Sequence, residues 1–165
     1  MRVRSKKMTK EHSKWFQSWF DTSYYHILYK NRDYKEAEVF IKNLVSYLNL
    51  EKGDSILDLA CGKGRHSIFL NTLGYNVTGI DLSKNSIEHA KAHASSSLYF
   101  DVHDMREPYT TKFEIVLNLF TSFGYFDKNV DNFKVIQTIK SSLKQNGIGV
   151  IDFMNSPYVI ENLIS

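Results

Sequence analysis

From Gly53 onward the chain repeats one unit: a short apolar run, a tight polar loop, then a stretch of helical period. That alternation constrains the fold more than any other feature, because strands separated by helices pair in parallel through right-handed crossovers. Ser55-Ile56-Leu57-Asp58-Leu59-Ala60 reads as a buried strand and Cys61-Gly62-Lys63-Gly64 as the loop after it. Arg65 to Leu73 reads as a helix stopped by Gly74, followed by a second strand, Asn76 to Ile80. Ser83 is the predicted N-cap of a helix carrying Ile87, Ala90 and Ala94. A weaker third strand spans Ser97 to Val102, and a strongly apolar fourth spans Phe113 to Phe120. Phe133, Ile136, Ile139 and Leu143 share a helical face; Asn146-Gly147 makes a turn and Ile148 to Phe153 a fifth strand.

The front of the chain has a different period. Trp15/Trp19 and Phe16/Phe20 are pairs at i,i+4, and a second amphipathic helix puts Ala37, Phe40, Ile41, Leu44, Val45 and Leu48 on one stripe. The expected organisation is a basic flexible tail over 1–10, a helical cap over 11–50 and an α/β core over 51–165. The fold class is a Rossmann-like, doubly wound, mainly parallel sheet with five visible strands and an N-terminal helical cap.

Charge does not favour a nucleic-acid partner. The formal net charge is +3, but residues 1–10 hold five basic residues and no acid. The remainder carries 16 basic and 18 acidic residues, a mildly acidic body. No apolar run reaches the roughly 20 residues of a membrane-spanning helix. A single cysteine excludes an internal disulfide framework and fits the cytoplasm, the expected location. His89 and His93 lie four apart on a helix with no carboxylate signature between them, so they read as a solvated face and no metal is expected.

In an open parallel sheet, ligands bind outside the carboxyl ends of the strands. Asp58 with the glycine loop, Asp81, Asp104 and Asn118 all fall at such ends. Gly62 and Gly64 permit close backbone approach, and Asp81, 17 residues beyond Gly64, can accept both hydroxyls of a ribose. A dinucleotide fingerprint starting at Gly62 would require glycine or alanine at its last position, where this chain has Ser67. Asp58 would repel a pyrophosphate and suit a cationic amino-acid end. Cys61 has no identifiable base partner and reads as a small turn residue.

Asp58-Leu-Ala-Cys-Gly-Lys-Gly resembles the first motif of class I S-adenosylmethionine-dependent methyltransferases, Val77-Thr-Gly-Ile-Asp81-Leu-Ser their second, and His103-Asp104-Met105-Arg106 their third. Phe113-Glu-Ile-Val-Leu-Asn118-Leu-Phe and Asn146-Gly-Ile-Gly-Val-Ile-Asp-Phe153 resemble their fourth and fifth strands, and Tyr24-Tyr25-His26 their helical cap in small-molecule members. Ala60 departs from the usual glycine, a change expected to matter little. The resemblance implies Asp58 and the Ala60, Cys61 and Gly62 backbone at the methionine moiety of the cofactor, S-adenosylmethionine. It places Asp81 at the ribose, Leu82 on the adenine, Asp104 at the adenine amino group and Met105 at the ring edge, with Asn118 and Leu119 near the sulfonium.

The implied activity is in-line methyl transfer to a small-molecule acceptor. The alternative is a cofactor-binding or interaction module without turnover. His26, Tyr25 and Tyr125 are candidate bases, and the sequence does not choose among them. The loop Phe120-Thr-Ser-Phe-Gly-Tyr-Phe126 could pack on a sulfonium or shape an acceptor pocket. The segment after strand four lacks the Asn-Pro-Pro-aromatic pattern of many nucleic-acid methyltransferases. Members of the family typically continue past strand five, so the chain is expected to be a fragment with the C-terminal strands missing and a bare strand-five edge open to self-association.

Overall fold

The computed structural model describes residues 34–163, together with Thr22 and Tyr24. Tyr25, His26 and the Trp15–Phe20 aromatics lie outside the described residues. Helix α1 (Tyr34–Leu48) leads into β1 (Ser55–Leu59), α2 (Arg65–Thr72), β2 (Asn76–Asp81), α3 (Lys84–Lys91), β3 (Leu98–Val102), β4 (Phe113–Asn118), α4 (Asn129–Ser142), β5 (Leu143–Ile151) and α5 (Ser156–Glu161). The strands form one sheet in the order β3-β2-β1-β4-β5, every neighbouring pair parallel. The chain builds outward from β1 to β3 and then returns to place β4 on the other side of β1. The crevice between the carboxyl ends of β1 and β4 is therefore the topological switch point.

Alternate residues of the central strands feed two cores, as a strand buried on both faces must. Ile56, Ile115 and Leu117 pack with Ile41, Leu70, Ile87 and Phe100 under α1, α2 and α3. Leu57, Leu59 and Val116 pack with Phe126, Val135 and Ile139 under α4. Phe100 is fully buried, and burying a side chain of that size stabilises by about 2–3 kcal/mol.

Most expected elements form close to where the pattern places them. Ser83 does cap α3, its hydroxyl accepting from the Ser86 amide at 3.1 Å. Two details differ. The buried face of α4 is Val135, Thr138, Ile139 and Ser142, while Phe133 and Ile136 stand exposed. The turn at Asn146-Gly147 is a bulge inside β5 rather than a boundary before it. Phe113 pairs with Leu143 and Ile115 with Ile148, so residues 144–147 bow out opposite Glu114, with Asn146 at φ 63°. Glu114 anchors this bow through Lys144 and reaches Ser55 on β1. With those partners its carboxyl is held down at about 2.

Candidate cofactor site at the strand ends

The loop after β1 turns back on itself by using the left-handed region at every second residue: Ala60 at φ 60°, Gly62 at 57° and Gly64 at 81°. Ala60 carries a Cβ in that region, which costs about 1–2 kcal/mol against a right-handed conformation. The alanine departure is thus a strained one, contrary to the expectation that it changes little. The two glycines serve different ends. A Cβ on Gly62 would meet nothing within 4 Å, so its bare face borders open space. A Cβ on Gly64 would come within 2.7 Å of the Phe100 ring, so this glycine admits the core and not a ligand.

Directional bonds fix the loop. The Cys61 amide donates to the Ile80 carbonyl at 3.0 Å, extending the β1–β2 ladder past the last strand residue. The Gly62 amide donates to Asp81 Oδ2 at 2.9 Å, and the Ser83 amide to Asp81 Oδ1 at 2.8 Å. Both Asp81 oxygens act as hydrogen-bond acceptors, the type of group that two vicinal hydroxyls need. The His103 amide reaches the Asp81 carbonyl at 3.0 Å and ties in the end of β3. Asn118 closes the circle, its Nδ2 donating to the Leu59 carbonyl at 3.0 Å beside Met105 Sδ.

Three groups from β1 to the first turn of α2 have shifted titration. Asp58 is 1% exposed and accepts from Ser67 Oγ at 2.6 Å. Burial pushes its carboxyl up to about 7, the Ser67 bond pulls it part-way back, and the Asp81 charge adds to the rise. The Cys61 thiol is held protonated, pushed up first by burial and then by Asp58 and Asp81. A thiol so placed is no nucleophile. His66, half-buried beside the Phe40 ring of α1, is pushed down to about 4 by desolvation and by Arg65, so it is neutral at physiological pH.

Beyond β4 the backbone again enters the left-handed region, at Phe120 (φ 60°) and Thr121 (φ 55°). The Phe120 amide donates to Asp152 Oδ2 at 2.9 Å, and Arg65 sits 5.3 Å from the Phe120 ring centre while pairing with Glu36 of α1. Thr121 and Ser122 direct their hydroxyls to the carbonyls of Phe120 and Leu119 within the loop. Phe123 meets Phe153 edge-on at 6.5 Å, and half-buried Tyr125 packs against the α4-side core.

Of the residues singled out in the sequence, Asp58, Ala60, Cys61, Gly62, Asp81, Asp104, Met105 and Asn118 are brought together at the strand ends around the switch point. Leu119 is buried in the core under α1, and Leu82 packs at the edge of the other core. Gly64 is turned inward. Two participants escape the motif reading. Ser67, which tells against a dinucleotide, is fully buried and holds Asp58. Arg106, quoted only as part of a motif, grips Asp104.

A sequence profile described as a methyltransferase domain matches residues 50–163. The chain belongs to that methyltransferase domain family. The domain is 37% identical over 115 residues to the Bacillus subtilis protein YqeM, named as a methyltransferase without a stated acceptor; the match covers 67% of this chain and 46% of that protein. It is 27% identical over 136 residues to a glycine/sarcosine N-methyltransferase of Aphanothece halophytica, covering 79% of this chain and 50% of the relative. The fold is shared with an S-adenosylmethionine-dependent methyltransferase from Clostridium acetobutylicum at TM-score 0.66 and 24% identity, covering 81% of this chain and 56% of that one. The chain spans about half the length of the curated relatives it matches.

The site fits the cofactor such a domain implies. Asn118 Oδ1 is buried with no hydrogen-bond partner, an acceptor left over at the switch point. Asp58 supplies a buried carboxylate where an ammonium can be neutralised, Asp81 supplies carboxylate acceptors at the end of β2, and Gly62 leaves room for close approach. The same Asp58 disfavours a pyrophosphate.

Proposed function

We propose that this methyltransferase domain binds S-adenosylmethionine at the ends of β1 to β4 and, in the cytoplasm, transfers its methyl group in line to a nucleophile on a small molecule. One observation carries the reading: buried Asp58, gripped by Ser67 beside a glycine loop that is itself bonded to Asp81. That arrangement matches a nucleoside with a cationic amino-acid tail. When bound, S-adenosylmethionine supplies a methyl group on a sulfonium, already an excellent leaving group.

What remains for the protein is alignment and exclusion of water, and positioning alone is worth on the order of 7–11 kcal/mol. Asp58 and the Ala60–Gly62 backbone hold the methionine end. Asp81 takes the ribose hydroxyls, Leu82 packs on the adenine, and Asp104 with the Met105 backbone meets the ring edge. Asn118 borders the reacting end, and the aromatic loop walls it off from solvent. The glycine/sarcosine relative supports a small amine as acceptor. Its displaced proton leaves to a base, for which Tyr125 is a candidate alongside Tyr25 and His26.

Calorimetry with S-adenosylmethionine and with its demethylated product tests the reading. Micromolar binding of both, lost in Asp81→Ala, is expected. No heat from either ligand with the unsubstituted protein, or heat from a nicotinamide dinucleotide instead, contradicts it.

A further inference from the structure

Arg106 has no role in the assignments above, yet its guanidinium joins three segments. Towards Asp104 it forms a fork: Nε lies 3.0 Å from Oδ1 and 3.1 Å from Oδ2, and a terminal nitrogen 2.6 Å from Oδ2. The Arg106 amide adds a bond to Oδ1 at 2.9 Å. Towards α4 it lies 3.7 Å from Asp131 Oδ2. One face lies 4.6 Å from the centre of the Phe126 ring, which is almost wholly buried. Phe126 closes the aromatic loop, and its carbonyl accepts from Asn132 of α4 at 3.0 Å. Burial raises the Asp104 carboxyl, but the hydrogen bonds and charge of Arg106 outweigh it and leave the group below its ordinary range.

An exposed ion pair two residues apart would be a weak and mobile contact. Here the pair is three-quarters buried, chelated from backbone and side chain, and backed by a ring, so the carboxylate has one orientation. The planar fork is what fixes it, and a lysine of equal charge lacks that plane. With Asp152 holding the loop at Phe120, Arg106 holds its other end at Phe126.

We infer that Arg106 is a positioning residue that aims Asp104 at the exocyclic amino group of the nucleoside base and locks the aromatic loop to that carboxylate. The inference rests on the adenosyl-cofactor reading above. The test compares calorimetric binding of S-adenosylhomocysteine with that of S-inosylhomocysteine, in which the amino group is replaced by a carbonyl. The unsubstituted protein prefers the adenosyl ligand by about tenfold or more, as a site built around that N–H group should. Arg106→Lys weakens the adenosyl ligand about tenfold and narrows the preference to about twofold, since charge without the fork leaves Asp104 free to turn. Adding Arg106→Lys to Asp104→Asn costs no further affinity, because the two act as one unit. Phe126→Leu, which removes the ring but keeps the ion pair, narrows the preference part-way, and melting curves confirm that each variant is folded.

Equal weakening of both ligands with the preference intact would mean a merely structural role and overturns the inference, as does additivity in the double variant. Failure of the unsubstituted protein to bind either ligand overturns instead the cofactor reading beneath it.

Discussion

The two loops that flank the switch point differ in how much of each is held by directional bonds and how much by rings. The loop after β1 is held by directional bonds: Cys61 to Ile80, Gly62 to Asp81, and Ser67 to Asp58, all at 3.0 Å or less. The loop after β4 is bonded to its surroundings at its two ends, through Asp152 at Phe120 and Asn132 at Phe126. Otherwise it leans on rings, with Arg65 over Phe120, Phe123 against Phe153 and Arg106 over Phe126, while the Thr121 and Ser122 hydroxyls bond within the loop. Hydrogen bonds demand one geometry, whereas aromatic contacts tolerate sliding and tilt. A loop of the first kind suits a ligand that never changes. A loop of the second kind suits a surface that differs from one acceptor to the next.

If that contrast is sound, substitutions on the β1 side should cost much more cofactor affinity than those on the β4 side. Asp81→Ala should have the largest effect, lowering affinity for S-adenosylhomocysteine at least a hundredfold, about 3 kcal/mol, by calorimetry. Gly64→Ala comes next. Its Cβ would press on the Phe100 ring at a left-handed residue, and urea unfolding should show a loss of about 2–3 kcal/mol.

The third prediction concerns pH. With the Asp58 carboxyl near 7 in the folded protein and 3.8 unfolded, the fold favours the protonated acid. Stability of the free protein should therefore fall as pH rises from about 4 to about 7. An ammonium ligand needs the ionised acid, so affinity should rise about tenfold between pH 6 and pH 8. A flat profile in the unsubstituted protein would refute the role given to Asp58, and Asp58→Asn should flatten it. The smallest effect belongs to Phe123→Leu, which should cost about 1 kcal/mol in stability yet leave S-adenosylhomocysteine affinity within about twofold. A tenfold loss there would erase the distinction between the loops.

How far the sequence could be read depends on whether the deciding contacts are local. The β1 strand, its glycine turn and the Ser83 cap are legible because each is set by residues a few positions apart. The acids at 58, 81 and 104 are legible as strand-end residues for the same reason. The buried face of α4 is not, because periodicity weights Phe133 and Ile136 by hydrophobicity while the sheet accepts the smaller Thr138 and Ser142 beside Val135. Nor is the bulge in β5, which depends on Glu114 of the neighbouring strand meeting Lys144 across 30 residues. Ser67 shows a different limit: it looks like a broken fingerprint until its partner nine residues earlier is seen to be buried with it. The strain at Ala60 is invisible in composition, since only the backbone angle reveals it.

Hydrogen–deuterium exchange with and without saturating S-adenosylhomocysteine tests the central claim most directly, because it reports where the ligand sits. Slowed exchange concentrated in residues 58–64, 81–83, 103–106 and 118–120, with the outer face of α4 unchanged, is the expected result. Unchanged exchange in those four segments under saturation, or protection confined to other parts of the sheet, would contradict it.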